Sequence, residues 1–171
     1  LTYNDVRKFG FIKIIKTKKI NTNKHTKLLG PEPLSNSFNI SYFKKKIANK
    51  EKNIKNVLMD QKFVSGLGNI YCNEILYLSS INPNRTTKNI KTEEISKIIF
   101  YTKKILKESI KKGGSSIKDF NSTDGKTGSF QQQFNVYGKD GKDCKTKNCS
   151  KIIKKTYISN RSSFFCSKCQ K

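Results

Sequence analysis

Four cysteines near the end of the chain constrain its fold more than any other feature. Cys144 and Cys149 form a C-x4-C pair, Cys166 and Cys169 form a C-x2-C pair, and sixteen residues separate the two. Zinc takes four soft ligands at tetrahedral corners, and two short cysteine pairs at the base of a β-hairpin supply two corners each. The residues between the pairs suit a hairpin. Ile152-Ile153 and Tyr157-Ile158 make one β-rich run, Ser159-Asn160 makes the turn, and Ser163-Phe164-Phe165 makes the second run. Two disulfides, or four unrelated thiols, are the alternatives; no mark of secretion accompanies these cysteines, so one zinc ion is the preferred reading. Cys72 lies in an apolar run and is expected to be a small packed residue.

With 171 residues the chain has room for one ordinary domain or two small ones. Its net charge of +24, from 36 basic and 12 acidic residues, points to a polyanionic partner such as nucleic acid. Lysine outnumbers arginine 33 to 3 amid abundant asparagine and isoleucine, so many lysines are ordinary solvated surface. An acidic membrane surface is the rival partner, but no apolar run approaches the roughly 20 residues that span a bilayer. No stretch of these 171 residues reads as a signal peptide either. Leu1-Thr2-Tyr3 reads as the inside of a strand, so the chain is expected to be the back part of a longer protein.

Residues 1–20 alternate enough to predict two strands around a bend, and residues 16–27 read as a polar linker carrying the single histidine, His25. Gly30-Pro31-Glu32-Pro33 then marks an extended entry to a new domain. Helices follow. Asn39 is placed to cap a helix through Ile40, Phe43 and Ile47, with Phe38 stapled against Phe43. A short helix covers Ile54–Met59, and Asn69 is expected to cap another apolar helix after a tight turn at Gly66 and Gly68. Thr92 opens the longest helix, with Ile95, Ile98, Ile99, Thr102, Ile105, Leu106 and Ile110 on one face.

Gly66-Leu67-Gly68-Asn69 is the second place where chemistry shows. Glycines allow close approach, and free amides at a helix start favour an anion such as a DNA phosphate; a plain helix–helix turn has the same residues. Residues 113–128 are too polar and glycine-rich to pack, and a loop this long is usually functional or disordered.

Six segments together resemble the C-terminal two-thirds of a formamidopyrimidine-DNA glycosylase, the bacterial enzyme that excises oxidised purines such as 8-oxoguanine. They are NDVRKFG at 4–10, LGPEPL at 29–34, LMDQKFVSGLGNIYCNEIL at 58–76, INPNR at 81–85, GGSSIKDFNSTDGKTGSFQQQFNVYG at 113–138 and RSSFFCSKCQK at 161–171. The segment at 113–138 resembles the purine-specific branch rather than its pyrimidine-specific sibling.

The resemblance implies an α+β fold: a remnant of an N-terminal β-sandwich with its linker (residues 1–28), a helix-two-turn-helix domain (29–130) carrying a lesion-capping loop (113–130), and a zinc-ribbon hairpin (131–171). It implies binding of damaged double-stranded DNA by a monomer in a bacterial cytoplasm, at the nucleoid. By the same resemblance Arg7 and Phe9 enter the duplex when the damaged base is flipped out, roles that a planar guanidinium and an aromatic wedge suit. Lys50, Lys55 and Asn69 match phosphate-contacting positions, with Gly68 beside them. Arg161 matches the ribbon arginine that contacts phosphate at the lesion and donates a proton in the second elimination. The three arginines, Arg7, Arg85 and Arg161, each stand inside a matching segment, where lysine cannot imitate a fork of donors. Arg85 is expected to be structural, paired with Glu74. A zinc-stabilised RNA-binding module remains a different-class alternative, one that would stack bases on an exposed aromatic sheet.

The family's nucleophile is an N-terminal proline amine that forms a Schiff base, followed by a glutamate, and neither stands at the start of these 171 residues. The intact family member is a bifunctional glycosylase and abasic-site lyase; these residues alone are expected to be a catalytically inactive DNA binder. A lysine amine near its ordinary pKa of about 10.4 is a poor nucleophile at neutral pH. Borohydride should therefore trap no efficient adduct between these 171 residues and DNA carrying 8-oxoguanine. A strong adduct would show that the catalytic amine lies within them.

Overall fold

The computed structural model describes residues 3, 5, 8–115 and 128–171. Four α-helices and a two-stranded hairpin carry the described fold: α1 (Ile40–Ile47), α2 (Ile54–Met59), α3 (Asn69–Leu78), α4 (Thr92–Lys111), β1 (Lys154–Ile158) and β2 (Arg161–Phe165). The Asn39 side chain accepts from the Tyr42 amide and so caps α1. Phe38 meets Phe43 across that start, and Phe63 closes on both, edge-on to Phe43 at 4.9 Å.

Two tight turns join α2 to α3. Asp60 accepts the amides of Phe63 and Val64 through its carbonyl and that of Lys62 through its carboxylate. Gln61 then brackets the second turn, receiving the Gly66 amide on Oε1 and donating Nε2 to the Leu67 carbonyl. Gly66 sits at φ +82°, a conformation that costs an L side chain energy. Leu67, tucked between the glycines, is buried with Leu58, Ile75 and Leu76 in the main core. The N-cap of α3 is Gly68, with Asn69 as its first helical residue, so Asn69 does not cap the helix as expected. Its side chain turns to the ribbon instead.

The long helix α4 buries Ile95, Ile98, Thr102 and Ile105 as its periodicity predicts. Ile110 departs from the stripe and is 67% exposed, because Ser109 takes the buried place and shares a 2.6 Å hydrogen bond with Tyr71 on α3. Glu94 reaches back to the Lys91 amide at the helix start.

The two strands expected in residues 1–20 do not form among the described residues. Residues 9–16 carry no ladder, Thr17–Thr22 is a 3-10 helix, and Phe11, Ile12 and Ile14 are exposed. A strand needs a neighbour to satisfy its backbone, and the described residues offer none. Among the described residues no helix is long and apolar enough to cross a membrane.

A second, smaller core joins the ribbon to the helices, where Tyr77 from α3 packs with Val136, Ile153 and Phe164. The hairpin pairs Ile158 with Arg161 across Ser159-Asn160, whose φ values of 47° and 59° make a two-residue turn matched to strand twist.

Arg85 pairs with Glu94, not with Glu74. Its guanidinium holds both carboxylate oxygens, at 2.5 and 2.9 Å, and donates to the carbonyls of Asn89 and Lys171. It thereby ties the chain's last residue to the start of α4. Burial pushes the Glu94 carboxyl up, but the Arg85 and Lys91 contacts outweigh it and hold the group below its usual range. A depressed carboxyl stabilises the fold above its unfolded value and loses that contribution as pH falls through the folded one. Glu94→Gln should therefore lower stability at pH 7 by about 2 kcal/mol in urea unfolding, as expected for a charge-assisted bond, and the deficit should narrow toward acid. A deficit constant with pH would contradict this role.

Candidate nucleic-acid interface and metal centre

The metal centre follows from local turns at either end of the hairpin. The Cys149 amide donates to the Thr146 carbonyl, with Asn148 at φ +61°, which folds C-x4-C into a knuckle. On the other side the Cys166 amide donates to the Gln170 side chain, whose own amide returns to the Cys166 carbonyl. The four sulfurs lie within 4.8 Å of one another, and all four cysteines are free thiols. Cys144 and Cys169 are 3.8 Å apart and Cys149 and Cys166 are 3.7 Å apart, far beyond a disulfide bond. A tetrahedron with zinc–sulfur bonds of about 2.3 Å has edges of about 3.8 Å, so the donor set fits one zinc ion in both chemistry and size. Burial raises the Cys144 thiol, yet hydrogen bonds from Thr146 and Tyr77 outweigh it and bring the group down to about 6. Burial raises Cys166, and at Cys169 the Thr146 hydroxyl lowers the thiol but burial and the neighbouring sulfurs outweigh it and push the group up to about 12. A bound cation would have to draw protons from those two. Cys72, by contrast, is fully buried in the helical core, and burial pushes its thiol up to about 12.

The interface side of the ribbon is held by a polar stripe on α3. Asn69, Asn73 and Tyr77 recur every four residues and therefore share one face of the helix. Asn69 donates to the Ser162 carbonyl at 3.1 Å. The Asn73 carbonyl accepts the Phe164 amide at 2.7 Å. The Tyr77 hydroxyl meets Thr146 at 2.9 Å and the Cys144 sulfur at 3.4 Å. On the neighbouring face, buried Glu74 receives four donors, the amides of Asn135, Val136 and Tyr137 and the Asn135 side chain. A single helix thus anchors the ribbon strand, the metal knuckle and the segment leading to them.

Arg161 is exposed at the start of β2, one residue from the carbonyl that Asn69 holds. Gly68 stands exposed at the α3 N-terminus, beside amides that have no partner within the helix. These three residues come together at one edge. Lys50 is half-buried, its ammonium 5.7 Å from the centre of the Phe63 ring. Phe9 is 80% exposed, and Arg7 lies outside the described residues.

Lys55 is the correction among the matched positions. It is fully buried, and its ammonium donates to the Ser162 carbonyl at 2.8 Å and the Ser163 hydroxyl at 2.6 Å, so it grips the ribbon from inside rather than a phosphate from outside. Burial lowers its pKa to about 8; the neighbouring Cys72 opposes that shift and Arg161 adds to it.

Residues 116–127, most of the matched capping loop, also lie outside the described residues, but the base of that loop is closed. Ser115 bridges Ser129, and the Phe130 amide donates to the Gly114 carbonyl. A Cβ on Gly128 would stand 2.2 Å from the Gly114 carbonyl oxygen, so only glycine fits there. Nothing in the chemistry of the sequence marks Asn73 or Gln170, since each binds backbone far along the chain, and Glu74, expected on Arg85, serves backbone amides for the same reason. The four-residue spacing of Asn69, Asn73 and Tyr77 was the available signal.

Residues 29–121 match the family model of the formamidopyrimidine-DNA glycosylase H2TH domain. The whole chain is 41% identical to the formamidopyrimidine-DNA glycosylase of Roseobacter denitrificans and 43% identical to that of Rickettsia bellii, spanning 60% and 62% of those proteins. Among solved structures it is similar to Lactococcus lactis Fpg in complex with DNA containing an abasic site, with TM-score 0.88 and 37% identity over 98% of this chain and 60% of that one. The Thermus thermophilus MutM (Fpg) protein superposes with TM-score 0.79 at 31% identity, over 85% of this chain and 55% of that one.

Metal removal should unlock the seam between ribbon and helices. In zinc-loaded protein Lys55 is expected to resist acetylation while exposed lysines react, and chelation, or Cys166→Ser, should make it reactive with helix content largely kept. Mass mapping of acetylated sites together with metal analysis checks this. Absence of zinc, or an equally reactive Lys55 in both states, would contradict it.

Proposed function

This chain belongs to the formamidopyrimidine-DNA glycosylase family, and from that premise we propose that it grips damaged duplex DNA in base-excision repair. In this reading it supplies the helical and zinc-ribbon share of an enzyme that excises oxidised purines and cleaves at the abasic site. The observation that carries the proposal is the meeting of Asn69, at the amide-rich start of α3, with the strand that begins at Arg161. Helix amides, a carboxamide and a guanidinium converging on one edge suit a phosphate oxygen.

Arg161 is assigned the phosphate beside the lesion and the proton donated in the second elimination, with Asn69 and Gly68 on the same phosphate. Arg7 and Phe9 are assigned to the opened base stack, and Lys50 to the flanking backbone. The division at residues 28/29 and 130/131, monomeric action and a nucleoid location belong to the same proposal. The high positive charge supports it by drawing a polyanion to the surface at long range. Zinc bound by the four cysteines would act structurally, since no cysteine of the set is left over to open a coordination position.

Duplex binding should depend on phosphate contacts, each adding about 0.9 to the slope of log affinity against log salt. Arg161→Ala should lower that slope by about one such contact and weaken binding to damaged and undamaged DNA alike. Phe9→Ala should instead reduce the preference for a duplex with a tetrahydrofuran abasic analogue over an undamaged one. Titrations at several salt concentrations check both, and an unchanged slope in Arg161→Ala would contradict the phosphate assignment.

A further inference from the structure

In a hairpin closed by the pair Ile158–Arg161, alternate pairs exchange ladder bonds, so the backbone groups of Ser162 and Phe164 on β2 point away from β1. That free edge is covered by side chains rather than by a third strand. The Ser162 carbonyl takes Lys55 and Asn69, and the Phe164 amide goes to the Asn73 carbonyl oxygen. Asn73 is 1% exposed, and its amide nitrogen is committed to the Asn69 carbonyl at 2.7 Å, which fixes the orientation of the carboxamide. Phe164 is itself buried, so its amide would have no ready solvent replacement.

From this geometry we propose that Asn73 is a positioning residue for Arg161: by holding the Phe164 amide from α3, it sets the register at which β2 lies along the helix, and with it the placement of the guanidinium beside Asn69. The inference rests on the phosphate reading of Arg161 given above. The carboxamide itself is buried beneath the strand and acts only through Arg161. Asparagine suits the position because one side chain must accept from the strand and donate to the helix at once. Without it, β2 keeps its Ser162 anchor but loses the second point that prevents it from pivoting about the first.

The test is a double-mutant cycle on the zinc-loaded protein, with Asn73→Ala, Arg161→Ala and the combined variant titrated against a duplex carrying a tetrahydrofuran abasic analogue. Asn73→Ala should keep one zinc per chain and weaken binding roughly tenfold, about the effect of a lost charge-assisted contact. The combined variant should bind no more weakly than Arg161→Ala alone, because both changes remove one interaction. Amide exchange gives a readout independent of DNA: the Phe164 amide should exchange at least tenfold faster in Asn73→Ala. Should the alanine variant fail to fold, Asn73→Asp, which keeps an acceptor for Phe164 but loses the donor to Asn69, takes its place: binding and Phe164 protection should be kept together or lost together, and a loss of one without the other would overturn the role. Fully additive losses, unchanged binding in Asn73→Ala, or an unchanged Phe164 exchange rate would each overturn the positioning role. Unchanged binding in Arg161→Ala alone would instead overturn the phosphate reading, and the proposal with it, whatever the exchange rate shows.

Discussion

The ribbon and the helices meet along the free edge of β2. A two-stranded hairpin is marginal alone and exposes a row of unpaired backbone groups. Here three side chains from α2 and α3, Lys55, Asn69 and Asn73, bind the Ser162 carbonyl and the Phe164 amide of that edge and close a seam between two small cores. The metal centre and the seam support each other. The four cysteine sulfurs that would hold zinc bring the two knuckles together, Tyr77 ties one knuckle to α3, and Gln170 ties the other to the Ile81 carbonyl.

That arrangement explains why a buried lysine is tolerated. An ammonium inside a protein is costly unless hydrogen-bonded, and Lys55 has a carbonyl and a hydroxyl within 2.8 Å. Its lowered pKa records the residual cost of burial. The surface carries charge of another kind, solvated lysines whose summed field attracts a polyanion without specifying where it binds. In the proposed complex, specific placement falls to the few groups at the α3 start, where Asn69 holds the strand that begins at Arg161.

Much of this was legible in the residues. Cysteine spacing located the metal centre, β-rich runs about Ser159-Asn160 located the hairpin, and apolar periodicity located α4. The helix expected over Ile54–Met59 is present. Two departures share a cause. Glu74, expected on Arg85, serves backbone amides 61 to 63 residues away, and Lys55, expected on a phosphate, serves a carbonyl 107 residues away. Side chains that satisfy distant backbone leave no mark in the chemistry of their partners, because every residue carries the same amide. The expected N-terminal strands failed for a related reason, since alternation marks a half-buried strand only where a sheet exists to receive it.

In the proposed complex one phosphate is gripped jointly from the α3 N-terminus and from Arg161, with the strand carrying Arg161 held by Asn73. A crystal structure of the zinc-loaded protein on a duplex with a tetrahydrofuran abasic analogue tests it most directly. A single phosphate should lie within hydrogen-bond distance of both Asn69 and the Arg161 guanidinium, with the Phe164 amide still on Asn73. Arg161 and Asn69 on different phosphates, or Phe164 released from Asn73 in the complex, would contradict it.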